Sequence, residues 1–184
     1  MNMKTLPPTL TPDDLLAMPG GEHYELIDGI PKEKVMGAES DEISAAIITV
    51  LRNFARQHRL GHVYGSQTGF QCFPGKPNLV RIPDMSFVAT GRLPGDRSPE
   101  GYIKISPDIA AEVISPHELY EEIEAKVAEY RSAGVKLIWV ISPRLRTVLV
   151  RRLDGTSSEL GETGTLSGED VLPGFTCPVA ELFV

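Results

Sequence analysis

Three carboxylates stand where apolar residues would be expected. Asp84 directly precedes the run Met85-Ser86-Phe87-Val88-Ala89, and Glu112 sits inside Ile109-Ala110-Ala111-Glu112-Val113-Ile114. Glu25 lies within Tyr24-Glu25-Leu26-Ile27. A buried acid is costly unless a cation or a proton compensates it. Acids brought together by neighbouring strands suit a divalent metal. Carboxylate oxygens favour Mg²⁺ or Mn²⁺ over zinc, which prefers His and Cys. Each acid taken singly also has an ordinary reading. Glu112 could be half of a structural salt bridge, Asp84 a turn residue after Pro83, and Glu25 an exposed position on an edge hairpin.

A lysine joins them from the segment that follows Glu112. Taking about 100° per residue from Leu119, the residues Ile123, Val127, Tyr130 and Ala133 fall at about 40°, 80°, 20° and 320° and form one apolar stripe. Lys126 falls at about 340°, inside that stripe. Its amine either snorkels to water along its own stem or meets a carboxylate on the sheet. Glu122, one helical turn earlier, is a possible partner for it.

These residues require particular elements to hold them. Thr11-Pro12-Asp13-Asp14 opens a short helix with a cap, a proline at the first position and acids at the positive end. Asp28-Gly29 between apolar runs predicts a hairpin joining Tyr24–Ile27 to Ile30–Met36. A long helix is expected over Asp41–Leu60, with Ile43, Ile47, Val50, Leu51 and Phe54 inward, Ser40 as its cap and Gly61 at its end. Short strands are expected at 62–64 and 69–73, a turn at 74–78, and a Gly/Pro-rich rim from Gly91 to Pro107. A second helix is expected from about His117 to Ala133, ended by Gly134. Leu137–Ile141 reads as a strand buried on both faces. Arg146–Arg152 and the stretch after Asp154-Gly155 predict an antiparallel hairpin, and Leu172-Pro173-Gly174-Phe175 packs back. The order of elements predicts a mixed α/β or α+β fold in a single domain over residues 11–184, preceded by a loose arm at 1–10.

Composition narrows the class further. The chain has 184 residues, 41% of them hydrophobic, and a net charge of −7. That length suits one domain. The charge argues against a broad basic face for nucleic acid but leaves room for a local basic patch. No apolar run reaches membrane-span length and no signal-peptide segment is visible, so a cytoplasmic location with no membrane partner is expected. Cys72 and Cys177 form no metal or disulfide pattern. Nucleophile, P-loop and dinucleotide-binding motifs are absent. Arg81, Arg92, Arg97 and Lys104 surround the acids in sequence and are candidates for phosphate contacts.

The ordered set Pro83-Asp84, Glu112-Val113-Ile114-Ser115-Pro116, Lys126, Glu129-Tyr130-Arg131-Ser132-Ala133-Gly134-Val135 and Trp139-Val140 resembles the Uma2 family of restriction-endonuclease-like proteins. Tyr24-Glu25-Leu26-Ile27-Asp28-Gly29 and Leu172-Pro173-Gly174-Phe175 resemble its N- and C-terminal signatures. The resemblance spans about residues 11 to 184 and implies the PD-(D/E)xK nuclease fold, a mixed sheet flanked by helices with the metal site on the sheet. In the usual form of that motif the lysine lies two residues after the acid. Here that position is Ile114, and Lys126 on the following helix is the matching residue. An acid that often precedes the lysine by a turn matches Glu122. The histidine that family members often carry near the start of the first long helix is missing from Glu39-Ser40-Asp41-Glu42.

The resemblance implies an endonuclease that cleaves nucleic acid, DNA foremost, using Mg²⁺ or Mn²⁺, and a homodimer where two strands are cut. Asp84, Glu112 and the Val113 carbonyl would hold the metal, Glu25 would bind a second metal or its water, and Lys126 would assist catalysis. The competing readings are a nuclease fold retained as a binding or regulatory module, and a purely structural ion network.

Overall fold

The computed structural model of the chain describes residues 9–116 and 118–183. Helix α1 spans Pro12–Ala17. Thr11 Oγ1 accepts from Asp14 N at 3.2 Å, and Asp14 accepts from Thr11 N at 2.9 Å, closing a capping box. Of the arm expected over 1–10, residues 1–8 lie outside the described residues; Leu10 donates to Gly29 O at 2.8 Å and is tied to the hairpin. That hairpin is β1 (Tyr24–Ile27) and β2 (Ile30–Glu33), turned at Asp28-Gly29 as expected, with both turn residues at positive φ.

Helix α2 covers Ala38–His58 and starts three residues before the expected Asp41. Gly37 is its N-cap, and Ser40 is buried within the first turn instead of capping it. Arg59, not Gly61, carries the left-handed C-terminal conformation (φ 55°). Strand β3 runs Gly61–Gly65, β4 Met85–Ala89 and β5 Ile109–Val113. The strand expected at 69–73 does not form. Phe70 makes only isolated bridges to Arg81 and Ile103, because its ring is anchored singly among Val88, Leu93 and Ile103. Helix α3 spans Tyr120–Ser132, later than the expected start at His117, which lies outside the described residues. Strands β6 (Leu137–Ser142), β7 (Thr147–Arg152) and β8 (Ser157–Leu160) follow, then the small pair β9 (Thr165–Ser167) and β10 (Thr176–Pro178).

The main sheet has the order β3-β4-β5-β6-β7-β8. All its neighbours are antiparallel except β5 and β6. A parallel pair needs a crossover, and α3 supplies it. Because successive side chains alternate faces, β5 divides its residues between two cores. Ala111 and Val113 pack with Ile43, Ile47 and Leu51 of α2, beneath Trp139 and Phe175. Ala110 packs with Ile123, Val127 and Tyr130 of α3. Glu112, two residues after Ala110, therefore faces α3 from the centre of the sheet. The fold is a mixed six-stranded sheet flanked by helices, as the sequence predicts.

Candidate active-site cleft

Asp84 and Glu112 are brought together by the β4/β5 junction. Asp84 N donates to Ala111 O at 2.9 Å, and Asp84 Oδ2 accepts from Val113 N at 2.6 Å. The backbone on either side of Glu112 thus grips Asp84. Both acids are buried. Lys126, on the inward stripe of α3, places Nζ 2.9 Å from Glu112 Oε2 and 2.8 Å from Glu118 Oε1. Tyr130 donates its hydroxyl to Glu112 Oε1 at 2.6 Å. Glu25, Asp84, Glu112, Val113 and Lys126 all line one cleft of about 430 Å³.

Three features differ from the sequence expectations. Glu25 reaches the cleft, but both its oxygens are engaged: Oε2 with Arg81 Nη1 at 2.7 Å and Oε1 with the Ile82 N–H at 3.0 Å. A ligand role for it would compete with the Arg81 pair, as one for Glu112 competes with Lys126 and Tyr130. Arg81 is not a phosphate contact. It is buried between Glu25 and Glu129, the latter 2.7 Å from Nε. Arg92 is likewise occupied, 2.7 Å from Asp108. Glu122 pairs with Lys32 at 2.5 Å, not with Lys126; the acid that meets Lys126 is Glu118.

Sequence reasoning missed Lys34. Its N–H donates to His23 O at 2.8 Å, which continues the β1/β2 pairing by one residue. Its ammonium sits 2.6 Å from Asp84 Oδ1 and donates to Ile82 O. In sequence it is one charge in Lys32-Glu33-Lys34, with no apolar periodicity to betray it. Tyr130 was legible as part of the stripe, but its hydroxyl partner was not.

The two acids respond oppositely to this setting. Burial pushes the Asp84 carboxyl above the usual carboxylate range; Lys34 and the Val113 N–H pull it down, Glu112 pushes it up, and the upward effect prevails. Burial also pushes Glu112 up, but Lys126, Lys34 and Tyr130 outweigh it and hold Glu112 below the ordinary value. Burial works against the Lys126 ammonium, yet Glu112, Glu25 and Glu118 together raise its pKa well above normal. These neighbours favour the ammonium form of Lys126, which suits charge stabilisation.

The donor set fits one Mg²⁺-like ion better than two. No group of three His, Cys, Asp or Glu side chains is placed to hold a metal among the described residues. Mg²⁺ keeps several waters and is typically held by one or two carboxylates. Asp84 and Glu112 match that demand. Asp84 Oδ1 has no well-angled hydrogen bond, only the Lys34 ammonium beside it. It is the oxygen best placed to exchange a protein cation for a metal.

Comparison with known proteins agrees with this architecture. The model of the Uma2 family, described as "Putative restriction endonuclease", matches residues 12–180. A crystal structure from Anabaena variabilis, described as "a putative nuclease belonging to DUF820", superposes with a TM-score of 0.77 at 22% identity, covering 95% of this chain and 97% of that one. No curated protein matches the chain.

The opposite shifts predict opposite mutant behaviour in EDTA. Ionised Asp84 burdens the fold as pH rises through its raised pKa, so Asp84→Asn should melt at or above the wild-type temperature at pH 7. Glu112 stabilises fully above its unfolded value, near 4.5, and that contribution is lost as pH falls through its lowered folded value. Glu112→Gln should lose on the order of 3 kcal/mol at pH 7, because Lys126 loses its main counterion. That deficit should shrink as the pH drops below the Glu112 pKa. Thermal melts of both variants across pH check this.

Proposed function

The chain belongs to the Uma2 family of restriction-endonuclease-like proteins, and on that premise we propose that it is a divalent-metal-dependent nuclease hydrolysing phosphodiester bonds, with DNA as its substrate. One observation carries the reading: two buried carboxylates, Asp84 at the entry to β4 and Glu112 on β5, share a cleft with the buried Lys126, which pairs with only one of them. Asp84 and Glu112 would hold Mg²⁺ or Mn²⁺, with the Val113 carbonyl as a further oxygen. Such an ion supplies positive charge for a phosphodiester and acidity for an attacking water.

The chain's own residues have separate tasks. Tyr130 and Lys126 keep Glu112 ionised and fix its orientation. Lys126 has three donor hydrogens, and Glu112 and Glu118 take two of them. The third is available to a phosphate oxygen or to the attacking water, where a fixed cation stabilises charge that develops in the transition state. Glu25, through Arg81 and the Ile82 N–H, braces the segment leading into Asp84. It is a positioning residue in this proposal. Cutting both strands of a duplex takes two such clefts, so a homodimer is part of the proposal.

Lys34 favours a second reading. With its ammonium on Asp84, the cleft already contains a counterion, as it would in a binding module that no longer cuts. The two readings part on how Lys34 responds to metal. In a nuclease it must yield Asp84 to the ion.

Mn²⁺ should raise the melting temperature of the wild type and support cleavage of labelled DNA; Asp84→Ala should lose both effects while remaining folded. Absence of any Mn²⁺ response in the wild type would sink the nuclease reading. Lys34→Met should melt lower in EDTA yet bind Mn²⁺ several-fold more tightly by calorimetry, because the competing cation is gone. Unchanged or weaker Mn²⁺ binding would remove Lys34 as a competitor.

A further inference from the structure

The C-terminal half of α2 and the open edge of the main sheet line a second cavity of about 460 Å³. Arg52, Arg56, His62, Tyr64, Thr68 and Ser98 contribute to its lining, and no Asp or Glu does. Arg52 and Arg56 are exposed and four residues apart, so they share one helix face. Among the described residues, neither has a carboxylate partner within salt-bridge distance. Two of the four other basic candidates for phosphate contact, Arg81 and Arg92, are paired with acids.

The charge distribution along the chain is as uneven as the cavity. Between Ile43 and Gly95 there are six Lys and Arg residues and a single acid, Asp84, in a protein with 25 Asp and Glu. The excess acid therefore lies elsewhere. The wall opposite α2 is held by two side-chain contacts: Tyr64 Oη to Ser98 Oγ at 2.8 Å, and His62 Nε2 to Asp96 Oδ1 at 3.2 Å. They pin the loop containing Pro94–Asp96 against β3. That strand is the end of the six-stranded order, so its outer edge presents unpaired backbone N–H groups.

Between this cavity and the cleft lies a smaller depression of about 120 Å³, lined by Lys34 and Met36, which also line the cleft, and by Glu22, Asp41, Ser66 and Gln67. Gly65 and Thr68, flanking Ser66-Gln67, then line the arginine cavity. Gly37 at the start of α2 borders the cleft, and Arg52 lies fifteen residues along the same helix. At 1.5 Å per residue that is about 22 Å.

We propose that the Arg52/Arg56 cavity is a phosphodiester-backbone subsite that holds one arm of the nucleic acid to one side of the bond being cut. It rests on the nuclease reading of the cleft and adds to it where the substrate lies. The arginines contact phosphate and carry no sequence preference, since backbone contacts position without reading bases. The subsite supplies the local positive field that a chain of net charge −7 otherwise lacks.

Fluorescence anisotropy with a labelled 20-base-pair duplex in EDTA, over a range of salt, tests this. R52E/R56E should weaken binding at least tenfold at low salt. It should also reduce the slope of log K against log salt by about 2, one unit for each lost phosphate contact. R52Q/R56Q, which folds without reversed charge, should show the same slope change with a smaller loss of affinity. R144E, on the exposed turn after β6, should bind as the wild type does. Equal affinity and slope for the wild type and both double variants overturns the subsite, as does a wild type that binds no nucleic acid. A loss in R144E as large as in the double variants also overturns it, by reducing the effect to net charge. Mn²⁺-dependent cleavage by the wild type is scored separately. A protein that binds through Arg52 and Arg56 but never cuts keeps the subsite and loses the nuclease, whereas one that cuts with an unchanged salt slope in the variants does the reverse.

Discussion

The cleft depends on one buried contact, the Glu112–Lys126 ion pair. Glu112 lies near the middle of the strand order, covered by α3, with almost no access to water. An isolated carboxylate there would take up a proton or disrupt the packing. It remains ionised because α3 delivers an ammonium to one oxygen and the Tyr130 hydroxyl to the other. The same helix packs Ile123, Val127 and Tyr130 against Ala110 and Ile138. Hydrophobic docking of α3 and ionisation of Glu112 thus reinforce each other.

Around that pair the charges are not balanced. Asp84, Glu112 and Glu118 meet Lys34 and Lys126, and with Glu25, Glu33, Glu122 and Lys32 also on the lining the acids of the cleft outnumber its lysines six to three. Lys126 is committed, since it sits between two carboxylates and is buried on the stripe of its helix. Lys34 is attached more loosely, at the end of a short hairpin and with its side chain partly exposed. If Lys34 leaves, Asp84 loses its counterion and the excess of acid in the cleft grows, a setting that favours a divalent cation. The second network joins Arg81 and Lys76 to Glu25 and Glu129, two cations to two carboxylates, and has no such imbalance. That distinction separates the part of the cleft that can take a cation from the part that shapes it.

The sequence disclosed those parts of the site that periodicity governs. Glu112 was conspicuous because a strand buried on both faces has no room for a charge. Lys126 was conspicuous because a helical count put it among apolar neighbours, and the structure finds it there. Lys34 and Glu118 were invisible for the complementary reason. Both sit in short polar segments at the ends of elements, where charge is ordinary, and only tertiary placement turns them inward. Glu25 was visible as an acid in a strand, but its partner Arg81, 56 residues away, could not be read from spacing. The expected strand at 69–73 failed because alternating apolar residues can anchor one by one in a core without forming a ladder.

Supplying the lysine from α3 instead of the strand changes what the cleft is coupled to. Ile114, two residues after Glu112, packs against the α3-side core instead of presenting a charge. A lysine on that strand would keep its distance to Glu112 whatever the helices did, because both would ride on one backbone. Lys126 keeps its distance only while α3 is seated. Any motion of α3 away from the sheet separates the pair and exposes Glu118, which precedes the helix and is held by the same ammonium. The charge state of the cleft is therefore tied to the docking of a helix whose outer end, at Tyr120, is exposed. Because the charge on Glu112 and the packing of Tyr130 support each other, partial undocking would be opposed by both, and the site is held as a unit.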